Sequence, residues 1–148
     1  LHYPLRRQRQ MCIRDSFNHG TGHGVGYLLN IHEGPAGFRY TYRAGESDAF
    51  QPGMVITDEP GIYIEGSHGV RLENELLVCE GEKNEYGEFL YFEPITYVPF
   101  DLDAINPDIM NAEDKERLNT YHATVYDKVS PYLNDEEKEW LKKYTRAI

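Results

Sequence analysis

Three histidines, His19, His23 and His32, and two glutamates, Glu59 and Glu73, carry the side chains that hold divalent cations or move protons. The histidines fall in "HGTGHGVGYLLNIHEGP", residues 19–35, together with five glycines, a composition that neither a helix nor a strand favours for stability. Glu59 sits at a bend beside Pro60, and Glu73 lies between Leu72 and the apolar run "LLVC". Burying an unpaired charge is costly, and a hard cation that neutralises carboxylates is the usual means of turning several of them inward. One imidazole with carboxylates suits Mn, Co, Fe or Zn. A strand buries alternate residues, however, so Glu73 equally fits an outward position beside Arg71 and Glu75. The five residues span more than fifty positions, and their types and spacing leave both readings open.

Positioning these groups falls to a strand-rich middle. The glycines and histidines from Phe17 to Pro35 predict backbone that turns sharply or approaches a ligand closely, and residues 36–52 read as a polar surface connection. Met54 to Thr57 and Ile62 to Ile64 predict two short strands around a bend. "GVRLENELLVCEG" predicts a third strand, and "FLYFEPITYVPF" a fourth region interrupted by Pro94 and Pro99. After residue 109 the period becomes helical. Leu118, Tyr121, Val125, Val129 and Tyr132 recur at three- and four-residue steps behind a candidate N-cap at Asn111. A second helix starts at Asn134, with Glu137 completing a capping box, and is expected to bury Trp140, Leu141 and Tyr144. Strands followed by two helices indicate an α+β fold.

At 148 residues the chain is long enough for one ordinary domain with a core, at 40% hydrophobic and 13% aromatic residues. Fifteen Lys and Arg against twenty-five Asp and Glu give a net charge of -10, which disfavours nucleic acid and anionic lipid as partners. No apolar run approaches the length of a membrane span and no signal peptide is evident, so the expected location is the cytoplasm. Cys12 and Cys79 make neither a disulfide framework nor a paired zinc-ligand motif, and Cys79 is expected to be a buried thiol. Residues 1–16, "LHYPLRRQRQMCIRDS", hold four arginines without a period. They fit a basic targeting arm, or a non-native segment, since "QMCIRDS" resembles the in-frame translation of a transposon-end adaptor used in sequencing-library preparation. On the second reading residues 17–148 are the natural part.

The words "HGTGHGVG", "NIHEGP", "GMVITDEPGIYIEG" and "GVRLENELLV", in this order and spacing, resemble the C-terminal half of the catalytic domain of Xaa-Pro aminopeptidases. These belong to the pita-bread (creatinase/aminopeptidase-like) metallopeptidase family M24. The resemblance continues through "FEPITYVPFD" and the closing helices. It implies removal of the N-terminal residue from peptides with proline in second position, using two divalent metal ions, with Mn favoured and Zn, Co or Fe as alternatives. By the same resemblance His23 and Glu59 bind one ion, Glu73 bridges both, and Glu59 also orients or deprotonates the attacking water. His19 and His32 line the pocket and steady the charge that develops at the scissile carbonyl. Tyr63 and Arg71 occupy positions that orient a ligating carboxylate. Gly20, Gly22, Gly24 and Gly26 would let backbone lie close to metal and substrate. Family members are often dimers, which makes a homodimer the implied assembly.

The family's full site also takes two aspartates from strands upstream of the "HGTGH" word, and the one acid in residues 1–16 is Asp15. The 148-residue chain by itself is therefore expected to be inactive or nearly so. Two other functions fit the same words: an Xaa-Pro dipeptidase, which shares the metal residues, and a noncatalytic pita-bread binding module, which the retention of His23, Glu59 and Glu73 argues against.

Overall fold

A computed structural model describes residues 20–28, 30–38 and 49–148, which divide into two compact units at Thr96 and Tyr97. Residues 1–16, with Cys12, lie outside the described residues, as do His19 and residues 39–48 of the polar connection.

In the first unit, strands β1 (Val55–Asp58), β4 (Asn74–Asn84) and β5 (Gly87–Pro94) form an antiparallel sheet in the order β1-β4-β5. Strands β2 (Gly61–Ile64) and β3 (His68–Arg71) form a separate two-stranded ribbon. Residues 21–25 line the free edge of β1. Val25 N–H donates to Val55 O, Thr57 N–H to His23 O and Glu59 N–H to Thr21 O, at 2.9, 2.8 and 2.7 Å. Ile56 and Val78, at 0% and 1% exposure, meet Ala36 in the core of this unit. Phe38, Phe50 and Phe92 pack against it with mutual ring separations of 5.3–5.4 Å. Both ends of the stretch 36–52 thus contribute side chains to a core, because the aromatic rings at 38 and 50 outweigh the polar residues between them.

Two expectations change here. The single strand expected over "GVRLENELLVCEG" is two strands in two sheets: β3 pairs with β2, β4 pairs with β1, and the chain passes from one to the other at Leu72 and Glu73. The Leu72 N–H bonds to Pro60 O at that crossing, at 3.2 Å. Cys79 is half-buried, because alternation along β4 turns Val78 into the core and Cys79 to the other face.

The second unit is helical: α1 (Ala112–Val129) and α2 (Asp135–Tyr144) follow two short 3-10 turns, Leu102–Ala104 and Pro107–Ile109. Asn111 caps α1 by accepting from Asp114 N–H at 2.8 Å. Asn134 and Glu137 form the full capping box of α2. Leu102, Val125 and Leu141 are buried. The helical period does not carry through to Tyr132. Pro131 cannot donate a helical hydrogen bond, Ser130–Tyr132 tightens into a 3-10 turn, and Tyr132 is exposed. In α2 only Leu141 is buried. Trp140 points away at 55% exposure and stacks on Tyr144 four residues on, with ring centroids 4.6 Å apart. Among the described residues no helix is long and apolar enough to cross a membrane.

His122 is fully buried on α1, where its Nε2 accepts from Phe100 N–H at 3.0 Å. The remaining proton of the neutral ring must then sit on Nδ1, which has no hydrogen-bond partner among the described residues. Burial lowers the His122 pKa, and the positive charge of Arg146 lowers it further.

Candidate metal centre

The site is built where residues 21–25 lie along β1. Gly22 makes that approach feasible, since a Cβ there would sit 1.9 Å from Thr57 O. Gly24 serves the same closeness on its other side, where a Cβ would sit 2.4 Å from Glu33 O. These two glycines therefore bring backbone against backbone, and their closest neighbours are backbone carbonyls.

The approach sets His23 beside the end of β1. Its Nε2 lies 3.1 Å from Glu59 Oε1, and its Nδ1 lies 2.9 Å from Gly24 O. A carbonyl can only accept, so Nδ1 donates, which leaves Nε2 to meet the carboxylate oxygen either through a proton or through a lone pair. In the second case a positive charge between the two would relieve the repulsion. Two ligands of one first-row ion, each about 2.1 Å from it and roughly at right angles, lie about 3 Å apart. The donor types and the spacing of His23 and Glu59 fit one divalent cation.

Glu59 is held from several sides although it is only 9% exposed. Its Oε1 accepts from the Thr57 hydroxyl at 3.0 Å, and its Oε2 lies 3.3 Å from Arg71 Nη1. Arg71 Nε in turn donates to Tyr63 Oη at 2.8 Å, across the ribbon from β3 to β2. The Tyr63 hydrogen bond holds the Arg71 pKa above its ordinary value, with the charges of Glu59 and Glu73 adding to it. Such support fixes a carboxylate's orientation.

The other expected residues are placed unequally. His32 is exposed and lies against His23, with ring centroids 4.3 Å apart. Glu73 is exposed in the link between β3 and β4, and it does not join His23 and Glu59: no group of three or more His, Cys, Asp or Glu able to hold a metal is present among the described residues. His19 lies outside them. One contributor escaped the sequence reading. Thr57, at 3% exposure, accepts from His23 N–H at 3.0 Å while donating to Glu59. The available signal was its place two residues before Glu59, on the same face of an extended chain.

Comparison with known proteins extends these observations. Residues 5–80 match the model of metallopeptidase family M24, and residues 88–148 match that of the C-terminal region of peptidase_M24. The first match begins within the stretch 1–16. The chain is 42% identical to Aminopeptidase P1 of Arabidopsis thaliana, with 89% of the chain and 21% of that protein covered. It is also 42% identical to a probable Xaa-Pro aminopeptidase P of Fusarium vanettenii, with coverage of 97% and 24%. The crystal structure of X-prolyl aminopeptidase from Caenorhabditis elegans, described as a cytosolic enzyme with a di-nuclear active site, superposes with a TM-score of 0.80 at 33% identity. That overlay covers 97% of the chain and 24% of the solved one. The chain spans less than a quarter of the length of these relatives.

Proposed function

The chain belongs to metallopeptidase family M24, and from that premise we propose that it is part of an Xaa-Pro aminopeptidase, which removes the first residue from peptides with proline in second position. Its antiparallel strands and two closing helices are a portion of the pita-bread fold. The observation that carries the functional reading is the His23–Glu59 pair, 3.1 Å apart, in the segment matched to a metallopeptidase model. Relatives named as Xaa-Pro aminopeptidases supply the substrate class.

In this reading His23 Nε2 and Glu59 would hold one ion of a pair, and Glu73 would serve as a further ligand. Two divalent ions, Mn by preference, would supply an acidified water and a Lewis acid for the peptide carbonyl. The chain's own part is positional. Arg71, braced by Tyr63, aims the Glu59 carboxylate, so that it can orient the attacking water. His32, which lies against His23 and is open to solvent, would face substrate, as would His19, and steady the charge on the scissile carbonyl. The di-nuclear, cytosolic description of the solved relative supports two ions and a cytoplasmic address. A homodimer is part of the same proposal.

The test compares the 148-residue chain with a full-length enzyme containing it, each supplied with manganese. The full-length enzyme should release the first residue of an Xaa-Pro peptide and stop when the metal is chelated. Glu59→Gln should abolish turnover, and a dipeptide assayed beside a longer peptide separates aminopeptidase from dipeptidase. The chain alone should show no turnover, because its described residues bring only His23 and Glu59 together. Comparable rates from the two would overturn the division of the site between this chain and further sequence.

A further inference from the structure

We propose that Thr57 is a positioning residue of the metal centre, one hydroxyl that aligns both the histidine and the glutamate ligand; this rests on the metallopeptidase reading of His23 and Glu59 and deepens it. The two side chains reach the site from different segments. His23 comes from the edge segment and Glu59 from the end of β1, and their relative position is set by the pairing of those backbones. Thr57 sits at the junction. Its N–H donates to His23 O at 2.8 Å, and its Oγ1 accepts the His23 N–H at 3.0 Å. A hydroxyl has one proton to give. With its oxygen engaged by the His23 N–H, Thr57 directs that proton to Glu59 Oε1 at 3.0 Å, the same carboxylate oxygen that faces His23 Nε2.

The two oxygens of Glu59 are thereby distinguished. Oε2 meets a guanidinium that is half in solvent, while Oε1 meets a hydroxyl that is almost wholly buried. Arg71 supplies charge, and Thr57 supplies direction. Rotating the carboxylate away from the ion would break the Thr57 hydrogen bond, and sliding the His23 segment along β1 would break the other bond to the same oxygen. One side chain thus couples two motions that would each spoil the ligand pair, a role that outer groups often play around metals.

The test uses the full-length enzyme with Co(II), whose visible absorption reports ligand geometry. Thr57→Val keeps the shape and removes the hydroxyl. It should weaken Co(II) binding by about 10- to 100-fold, shift the absorption bands, and lower kcat with little change in KM. Thr57→Ser keeps the hydroxyl and should restore affinity and bands. Thr57→Ala differs from Thr57→Ser by the hydroxyl alone, so this pair carries the comparison if the valine variant does not fold. Circular dichroism confirms folding in each case. Wild-type affinity and bands in the alanine or valine variant would overturn the proposal, as would equal losses in the serine and alanine variants, which would assign the effect to packing. A wild-type enzyme that binds no Co(II) would instead sink the metallopeptidase reading, and this proposal with it.

Discussion

In the strand-rich unit His23 bonds to Thr57 across 34 positions of chain, whereas in the helical unit Asn111 caps on Asp114 and Asn134 on Glu137, three positions away. The contrast extends beyond the caps. Glu113 pairs with Arg117, and Thr124 donates to Thr120 O, each at a spacing of four. On the site side, Arg71 reaches Glu59 across twelve positions and the 21–25 segment reaches β1 across more than thirty, with the Thr57–Glu59 bond as a local contact beside them. Local contacts specify an element wherever it is found. Distant ones specify a geometry, and they fail together when one backbone cannot come close.

The largest effect expected from breaking this contrast is at Gly22. Gly22→Ala would place a methyl 1.9 Å from Thr57 O and should cost about 3 kcal/mol or more. The loss should appear in native-state hydrogen exchange, at the amides of Val25, Thr57 and Glu59. Unchanged protection there would mean that close approach is not what holds the ligand segment. Leu141→Ala tests the helical side by its packing. It removes a side chain at 2% exposure and should cost about 2.5 kcal/mol in chemical unfolding. Asn134→Ala removes the side-chain half of the capping box, leaving its backbone N–H to Glu137, and should cost about 1 kcal/mol, with fraying confined to the first turn of α2. A cost well above that would show that the cap carries tertiary contacts and is not a local device.

The smallest effect is a pH dependence at His122. Its folded pKa is lowered by burial and by Arg146, so at acid pH the unfolded chain binds a proton that the folded chain resists. Its contribution to stability is complete above the unfolded value of about 6.5 and is lost as pH falls through the lower folded value. Thermal melts should therefore show the helical unit weakening on acidification, and His122→Gln should flatten that slope. A slope unchanged in the variant would assign the effect to carboxylates elsewhere.

What could be read from the sequence follows the same division. The two helix starts were legible because Asn111 and Asn134 announce themselves within four residues, and the α+β order followed from the change of period. Trp140 and Tyr132 were read as inward on periodicity alone. A stacking partner for one and Pro131 before the other decided otherwise. In the site, His23 and Glu59 were legible as a pair only through family words, since nothing local joins residues so far apart. The split between β3 and β4 was hidden because "VRLENELLV" alternates plausibly as one strand, and the change of partner at Leu72 and Glu73 is a property of the sheets. Thr57 was hidden for a related reason: a threonine in a strand is the expected residue, and its hydroxyl acquires a task only once His23 lies beside it.

The pairing of Gly24 with Ile56 has a consequence for the donor pair. The β4–β5 hairpin closes through Glu85 and Tyr86 alone, with Asn84 opposite Gly87, a contact of very low sequence separation. Such hairpins form within microseconds, and the entropy of closing a loop rises with its length. The edge segment closes more than thirty residues where it meets β1, so the approach of His23 to Glu59 depends on a contact of much higher sequence separation than the hairpin. The His23–Glu59 pair therefore exists only where the sheet edge is formed, and it is lost with that edge even if the hairpin persists.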